Sequence, residues 1–309
     1  MMVIAGFDIP TLVAMLMVAS TPILFAAIGE LVVERSGVLN LGVEGMMICG
    51  AVCGFAVTIH TENPVLGMLG AALGGALLAA LFAVLVLFLL SNQVATGLAL
   101  TLFGLGLSAL IGQGYSSMRP VSTPKLDLGP LSDLPVLGPM FFRHDIWVYG
   151  SLLLTFAVWW WLTRTRGGLV LRAVGENHDA AHALGYRVLR IRFLAILFGG
   201  ACAGLGGGYL SLIRVPQWTE GMTAGAGWIA LAIVVFASWR PWRAVLGAYL
   251  FGGVTVLQLN LQARGVNIPV QYLSMAPYVI TIIVLVLISG RRRARGVPGS
   301  LGRVFHASS

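Results

Sequence analysis

The stretch 63–118 has no Asp, Glu, Lys, Arg or His in 56 consecutive positions. A soluble fold must present charge to water, and a run of this length supplies none. A bilayer accepts it. About 20 apolar residues cross the hydrocarbon core as one helix, so the run holds two spans. The polar triplet Ser91-Asn92-Gln93 marks where it divides.

The rest of the chain has the same character. Its 309 residues are 58% hydrophobic and 10% charged, whereas soluble domains carry about 25% charged residues. Its 40 glycines suit helices that approach backbone to backbone in lipid. Further spans fall at 9–29, at 45–59 with 37–44 completing the crossing, and at 146–163, 193–213, 221–238, 244–263 and 266–290. The expected fold class is therefore all-α: a polytopic transmembrane helix bundle of about nine spans, one domain over 1–309. The segment 119–145, rich in Pro, Gly and Asp, reads as an outer loop. The segment 164–192 reads as a basic inner loop and 291–309 as a basic inner tail. With the N-terminus out and the C-terminus in, fourteen of the nineteen cations lie inside and five outside, as the positive-inside rule requires. The stretch 30–44 fits least well, because Glu30 and Glu34 offset Arg35 there.

A net charge of +8 invites a nucleic-acid partner. The cations, however, form short clusters between apolar runs, and no contiguous basic stripe exists to follow a phosphate backbone. Nucleic acid is excluded as a partner. Cys49, Cys53 and Cys202 lie in apolar runs and read as packing residues; the first two, four apart on one helix, are poorly placed for a disulfide. The first apolar run has no positive leader segment and reads as a structural span. The only lysine, Lys125, follows Pro124, so no Gly-Lys-Ser/Thr phosphate loop is present. The chain is expected to be no enzyme and to bind no cofactor. His178 and His182 have metal-ligand spacing, but no further ligand set accompanies them, so no metal is expected.

Two segments carry the remaining information. The first is the inner-loop string from Arg172 through Gly175, Glu176, Asn177, Asp179, Ala180 and Ala181 to Gly185. It reads as a short helix capped by Asn177 or Asp179, small-sided through its alanines, and stopped by Gly185. Such a helix suits docking into a groove on another protein, or is an ordinary loop helix. The second is Glu34-Arg35-Ser36-Gly37-Val38-Leu39-Asn40-Leu41-Gly42-Val43-Glu44-Gly45. Its glycines and Asn40 argue against a smooth helix, and irregular backbone in a bilayer must face protein or a wet cavity. Glu44 lies at or within the apolar zone, where a carboxylate points to function, unless it faces water or bonds nearby backbone. Asn92, Gln93, Thr96 and Thr101 either line a path for a polar solute or satisfy a helix end. The small-xxx-small pairs Gly50/Gly54, Gly70/Gly74, Gly200/Gly204 and Gly204/Gly208 read as packing surfaces. The two halves of the chain show no defensible internal similarity.

Asp179-Ala180-Ala181, three residues, then Gly185 resembles the Glu-Ala-Ala-xxx-Gly coupling loop of permease subunits in ATP-binding-cassette (ABC) importers. The string 171–185 is similar to that of the ribose and branched-chain amino-acid permease family. The string 34–45, with Asn92-Gln93-Val94, resembles its nucleoside and simple-sugar branch. The resemblance spans nearly the whole chain. It implies that 175–185 docks on a separate ABC ATPase subunit that holds ATP and Mg. It implies a second, homologous permease subunit, an extracytoplasmic solute-binding protein, and a bacterial-type plasma membrane. It makes Asn40, Glu44, Asn92, Gln93 and Thr96 candidates for the translocation pathway. The solute expected is a nucleoside, then a simple sugar, then a branched-chain amino acid, moved by alternating access. Two rivals remain. An ion-coupled secondary transporter would be expected to show intramembrane acid or histidine relays, for which only Glu44 is a candidate. A membrane enzyme would need clustered carboxylates or metal ligands at the membrane face.

Overall fold

The computed structural model describes residues 3–4, 7–126, 129–263 and 296–305, with seven further positions between 271 and 286. Two-residue strands, Val3–Ile4 and Phe7–Asp8, pair antiparallel ahead of the first helix. The helices follow in order: α1 Ile9–Arg35, α2 Val43–Thr61, α3 Pro64–Ala83, α4 Gln93–Gly112, α5 Ile146–Arg164, α6 Arg166–Glu176, α7 His178–Ala183, α8 Val188–Tyr209, α9 Ala226–Phe236 and α10 Pro241–Ala263. Single π-helical turns extend α3 to Phe88 and α8 to Arg214.

Side chains written into the sequence set the helix starts. Asn63 caps α3, accepting from Val65 N at 2.9 Å, with Pro64 as the first helical residue. Asn92 caps α4 and Asp145 caps α5. Each such cap is worth about 1 kcal/mol. The break at 89–92 divides the long uncharged run where Ser91-Asn92-Gln93 stands.

Seven helices among the described residues are long and apolar enough to cross a membrane. The expected nine spans are therefore not reproduced. All but seven positions of the expected span 266–290 lie outside the described residues. The expected span 221–238 is corrected: α9 has 11 residues, a rise of about 16 Å against a core of about 30 Å. Irregular chain over 215–225 precedes it. The second span does not need 37–44 to complete it, because α2 alone has 19 residues. The inner loop 164–192 is also shorter than expected, since α8 begins at Val188 and takes Arg190 and Arg192 into a helix.

The long apolar helix α1 is buried on every side from Ala19 to Glu34, as an all-round apolar helix must be. It packs against α8, α10, α9 and α5. The helices α2, α3 and α8 cross where glycines meet. A Cβ on Gly204 would stand 2.1 Å from the Ala71 carbonyl, and one on Gly75 would stand 2.2 Å from the Gly200 carbonyl. Only hydrogen side chains permit that approach. On the outer face of α3, Leu69, Leu73 and Leu77 form a stripe at helical spacing, Leu77 being 71% exposed. A water-soluble surface would not carry such a stripe; a bilayer accommodates it.

Candidate functional site

Two helix N-termini meet inside the bundle. The crossing of α2 over α4 sets the depth: a Cβ on Gly45 would lie 2.7 Å from the Leu100 carbonyl, and one on Gly104 would lie 2.8 Å from Gly45 Cα. Residues 100–104 are the middle of α4, so α2 starts level with that middle. The segment 37–42 runs inward to reach this depth. Thr101 Oγ1 donates to the Leu41 carbonyl at 3.1 Å.

The carboxylate of Glu44, in the first turn of α2, crosses to the start of α9. Oε1 accepts from Thr223 Oγ1 at 2.6 Å and from Gly225 N at 2.8 Å, and Oε2 accepts from Gly227 N at 2.7 Å. The residue before α9, Gly225, offers no side-chain cap. Glu44 supplies it from another helix, satisfying amides that would otherwise be orphaned in the bundle. Its negative charge also faces the positive dipole ends of both helices. Glu44 is 4% exposed, and both its oxygens are engaged.

Asn40 braces the approach to this junction. Its Oδ1 accepts from Gly42 N at 3.0 Å and its Nδ2 donates to Glu30 Oε2 at 3.2 Å. Glu30 Oε1 is buried without a hydrogen-bond partner among the described residues. One turn on, Glu34 accepts from the Trp239 indole, and Arg35 donates to the Trp239 carbonyl at 3.0 and 3.2 Å. These contacts pin the α9–α10 turn to the end of α1. Glu44 is thus not the only acid buried in the bundle. Glu30 and Glu34 are each 1% exposed and belong to α1, not to a loop. No glycine or proline stands between Gly29 and the end of α1 at Arg35, and glutamate propagates a helix well.

The loop 165–187 folds as two short helices. Thr165 caps α6 through Gly168 N at 3.1 Å, and Asn177 caps α7 through Ala180 N at 3.0 Å. Gly185 has φ +86°, and nothing lies within 4 Å of where a Cβ would stand, so left-handed geometry, not crowding, requires glycine there. The six-residue α7 is two-sided. Glu176, Asn177, Asp179, Ala180, His182 and Ala183 are exposed. Ala181 is buried against Val174, Val188 and Phe305, and Gly175 is buried where α6 meets the end of α1.

Beneath α7 lies Arg192, fully buried. Its Nε donates to the Ser36 carbonyl at 3.2 Å, its Nη1 to the Arg303 carbonyl at 3.2 Å, and its Nη2 to His178 Nδ1 at 3.1 Å. A guanidinium only donates, so Nδ1 is the acceptor and Nε2 carries the proton, facing Asp179 at 3.5 Å. Burial and the Arg192 charge push the His178 imidazole below the usual histidine range, against the pull of Asp179. The His178 and His182 rings turn onto Phe305, with centroids 5.3 Å away in each case.

Comparison with known proteins decides the family. The family described as branched-chain amino acid transport system / permease component matches residues 12–288. This chain belongs to that family. A relative in Haloferax volcanii, provisionally assigned as a glucose ABC transporter permease, is 43% identical over 86% of this chain and 88% of its own length. A guanosine ABC transporter permease of Bacillus subtilis is 34% identical over 93% of this chain and 95% of its own. A nucleoside ABC transporter permease of Lactococcus lactis matches at the same identity and coverage. The protein is an integral membrane permease subunit of the ABC type, a transport component that is not itself catalytic.

In this permease the five pathway candidates do not share one surface. Asn40, Glu44 and Gln93 are buried at or near the inward-running segment, where Gln93 Oε1 accepts from Leu39 N at 2.8 Å. Asn92 is exposed and caps α4, and Thr96 pairs with Ser91 at 2.8 Å. The seven docking candidates do come together at the α6–α7 corner, with Gly175 and Ala181 turned inward. Sequence reasoning missed Arg192, Thr223, Trp239, Ser300 and Phe305. Arg192 had a signal, as the innermost of the Arg187, Arg190, Arg192 cluster beside an apolar run; the others had none.

Proposed function

We propose that this permease imports nucleosides by alternating access, driven by a partner ATPase. One observation supports the coupling reading above others: α7 turns its exposed face of Asp179, Ala180 and Ala183 away from the chain. A face of such small side chains lets a partner's groove approach the helix backbone. In this reading α6–α7 and the tail lie in the cytoplasm, the N-terminus lies outside, and residues 1–309 act as one domain in a bacterial-type inner membrane. ATP and Mg sit on the ATPase, and this chain binds no cofactor. A second, homologous permease subunit completes the pore, and an extracytoplasmic binding protein delivers the solute.

Mechanistically, closure of the ATPase dimer displaces α7, and the bundle rocks between outward-open and inward-open states a few kcal/mol apart. The short α9 and the irregular chain before it form a discontinuous span, the element with which transporters commonly build midplane sites. Asn40, Glu44, Asn92, Gln93 and Thr96 act on this path mainly by holding its walls. Simple-sugar import is the second reading, favoured by the 43% identity to the Haloferax relative.

Uptake of radiolabelled nucleosides, sugars and branched-chain amino acids into cells with and without this gene separates the substrates. The expected result is nucleoside uptake lost with the gene. Loss of sugar uptake alone would replace nucleoside by sugar, and loss of neither would overturn both.

A further inference from the structure

The tail 297–305 packs across the end of the bundle. Ser300 N donates to the Gly175 carbonyl at 2.9 Å, and Ser300 Oγ accepts from His178 N at 3.2 Å, so one residue holds the start of α7. Phe305, 5% exposed, wedges its ring against both His178 and His182. Gly302 N donates to the Gly37 carbonyl at 3.2 Å. The Arg303 carbonyl accepts from Arg192 Nη1 at 3.2 Å and from Gln93 Nε2 at 3.5 Å. Tight turns keep the segment compact: Leu301 N bonds the Pro298 carbonyl at 3.0 Å, and Arg303 N bonds the Ser300 carbonyl at 3.1 Å.

We propose that 297–305 is a transmission strap, joining α7 to the 36–42 turn and through that turn to the Glu44 junction. The inference rests on the reading of α7 as the helix that docks on the ATPase. Among the described residues, every hydrogen-bonded link between 175–182 and the 36–37 turn passes through the tail or Arg192. A helix of six residues is far below the length at which a helix holds itself, so its position is set by what it is fastened to. Its fastening leads inward: from Gly37 the chain reaches Asn40, braced on Glu30, and then Glu44, which holds the start of α9. Arg192 is the positioning residue of the strap, a buried cation whose three partners are a carbonyl of the turn, a carbonyl of the tail and the α7 imidazole. Packed contacts and hydrogen bonds of this kind carry coupling when the element they fasten has two positions.

The test compares the full-length chain, a chain ending at Gly296, Phe305→Ala and Phe305→Tyr. Each is reconstituted in proteoliposomes with its partner permease, ATPase and binding protein, and ATP hydrolysis and solute uptake are measured in the same vesicles. The expected result for the shortened chain is continued hydrolysis with solute moved per ATP reduced about tenfold, within the usual range for coupling between sites. Phe305→Ala is expected to lower the same ratio and Phe305→Tyr, which keeps the ring edge, to restore it. Parallel loss of uptake and hydrolysis at an unchanged ratio would make the tail mere structural support and overturn the proposal, as would an unchanged ratio with full activity. If the shortened chain does not insert, the Phe305 pair decides by the same ratio. Failure of the docking reading itself looks different: there Ala180→Trp, at an exposed position of α7, would co-purify with the ATPase as well as the full-length chain does.

Discussion

Glu44→Ala is expected to destabilise the bundle by about 3–5 kcal/mol, because neutral donors are left without their charged acceptor. Three donors lose their acceptor at once: Thr223 Oγ1, Gly225 N and Gly227 N. Thr223 and Gly227 are buried and Gly225 is half-buried, and each group orphaned away from water costs about 1–3 kcal/mol. The loss also leaves the starts of α2 and α9 facing one another without the anion between them. Glu44→Gln is expected to fall between, because its amide keeps one acceptor oxygen but turns a donor toward a donor. Thermal unfolding of the detergent-solubilised permease gives the readout, with the alanine variant melting on the order of 10 °C lower and the order wild type, Gln, Ala. A melting temperature unchanged in the alanine variant would mean that Glu44 does not fasten α9.

Ala180→Trp is expected to abolish ATP-dependent uptake while leaving the permease folded and inserted. Ala180 is exposed on α7, and substitutions at such positions usually change stability by about 0.5 kcal/mol or less. Its effect falls on the partner. An indole at the centre of a close-packed docking surface costs binding at about the scale of a hot-spot residue, roughly 2 kcal/mol or more, which is at least about thirtyfold in affinity. Ala181→Trp is the contrast. Ala181 is 2% exposed and faces Val174, Val188 and Phe305, so a large side chain overpacks the chain's own interior, at about 1–3 kcal/mol. It should lower both melting temperature and uptake. Co-purification with the ATPase, read beside the melting temperature, separates the two variants. Normal ATPase recovery with Ala180→Trp would remove α7 from the docking surface.

The membrane class was legible because one feature, the uncharged run 63–118, leaves no other solvent for the chain. The helix starts were legible where a capping side chain stands at the boundary, as at Asn92 and Asn177. The α6–α7 corner was legible because Asn177 and Gly185 punctuate it at both ends. The span over 221–238 was misjudged because hydropathy sums side chains and is blind to backbone. The segment is apolar enough to cross, yet Gly221 and Gly225 adopt positive φ and the helix starts only at Ala226. Glu30 and Glu34 were misplaced for the opposite reason. Charge was read as the end of a span, whereas Asn40 and the Trp239 indole, distant in sequence, make room for the two acids inside. No local pattern announces a partner 205 residues away. Ser300 and Phe305 belong to the same class, since the tail's composition reads only as basic while its contacts reach α7 and the 36–37 turn.

Proteoliposomes containing this permease, its partner permease and ATPase, and the solute-binding protein allow the energy source to be chosen at will. The decisive measurement is solute accumulation with ATP supplied to the ATPase side and no ion gradient, against accumulation with a proton or sodium gradient and no ATP. Accumulation that needs ATP and vanishes with an inactivated ATPase is the result expected of a coupled permease. Accumulation driven by the ion gradient alone, with the ATPase absent, would contradict it and assign the buried acids Glu30, Glu34 and Glu44 to an ion-coupled transporter instead.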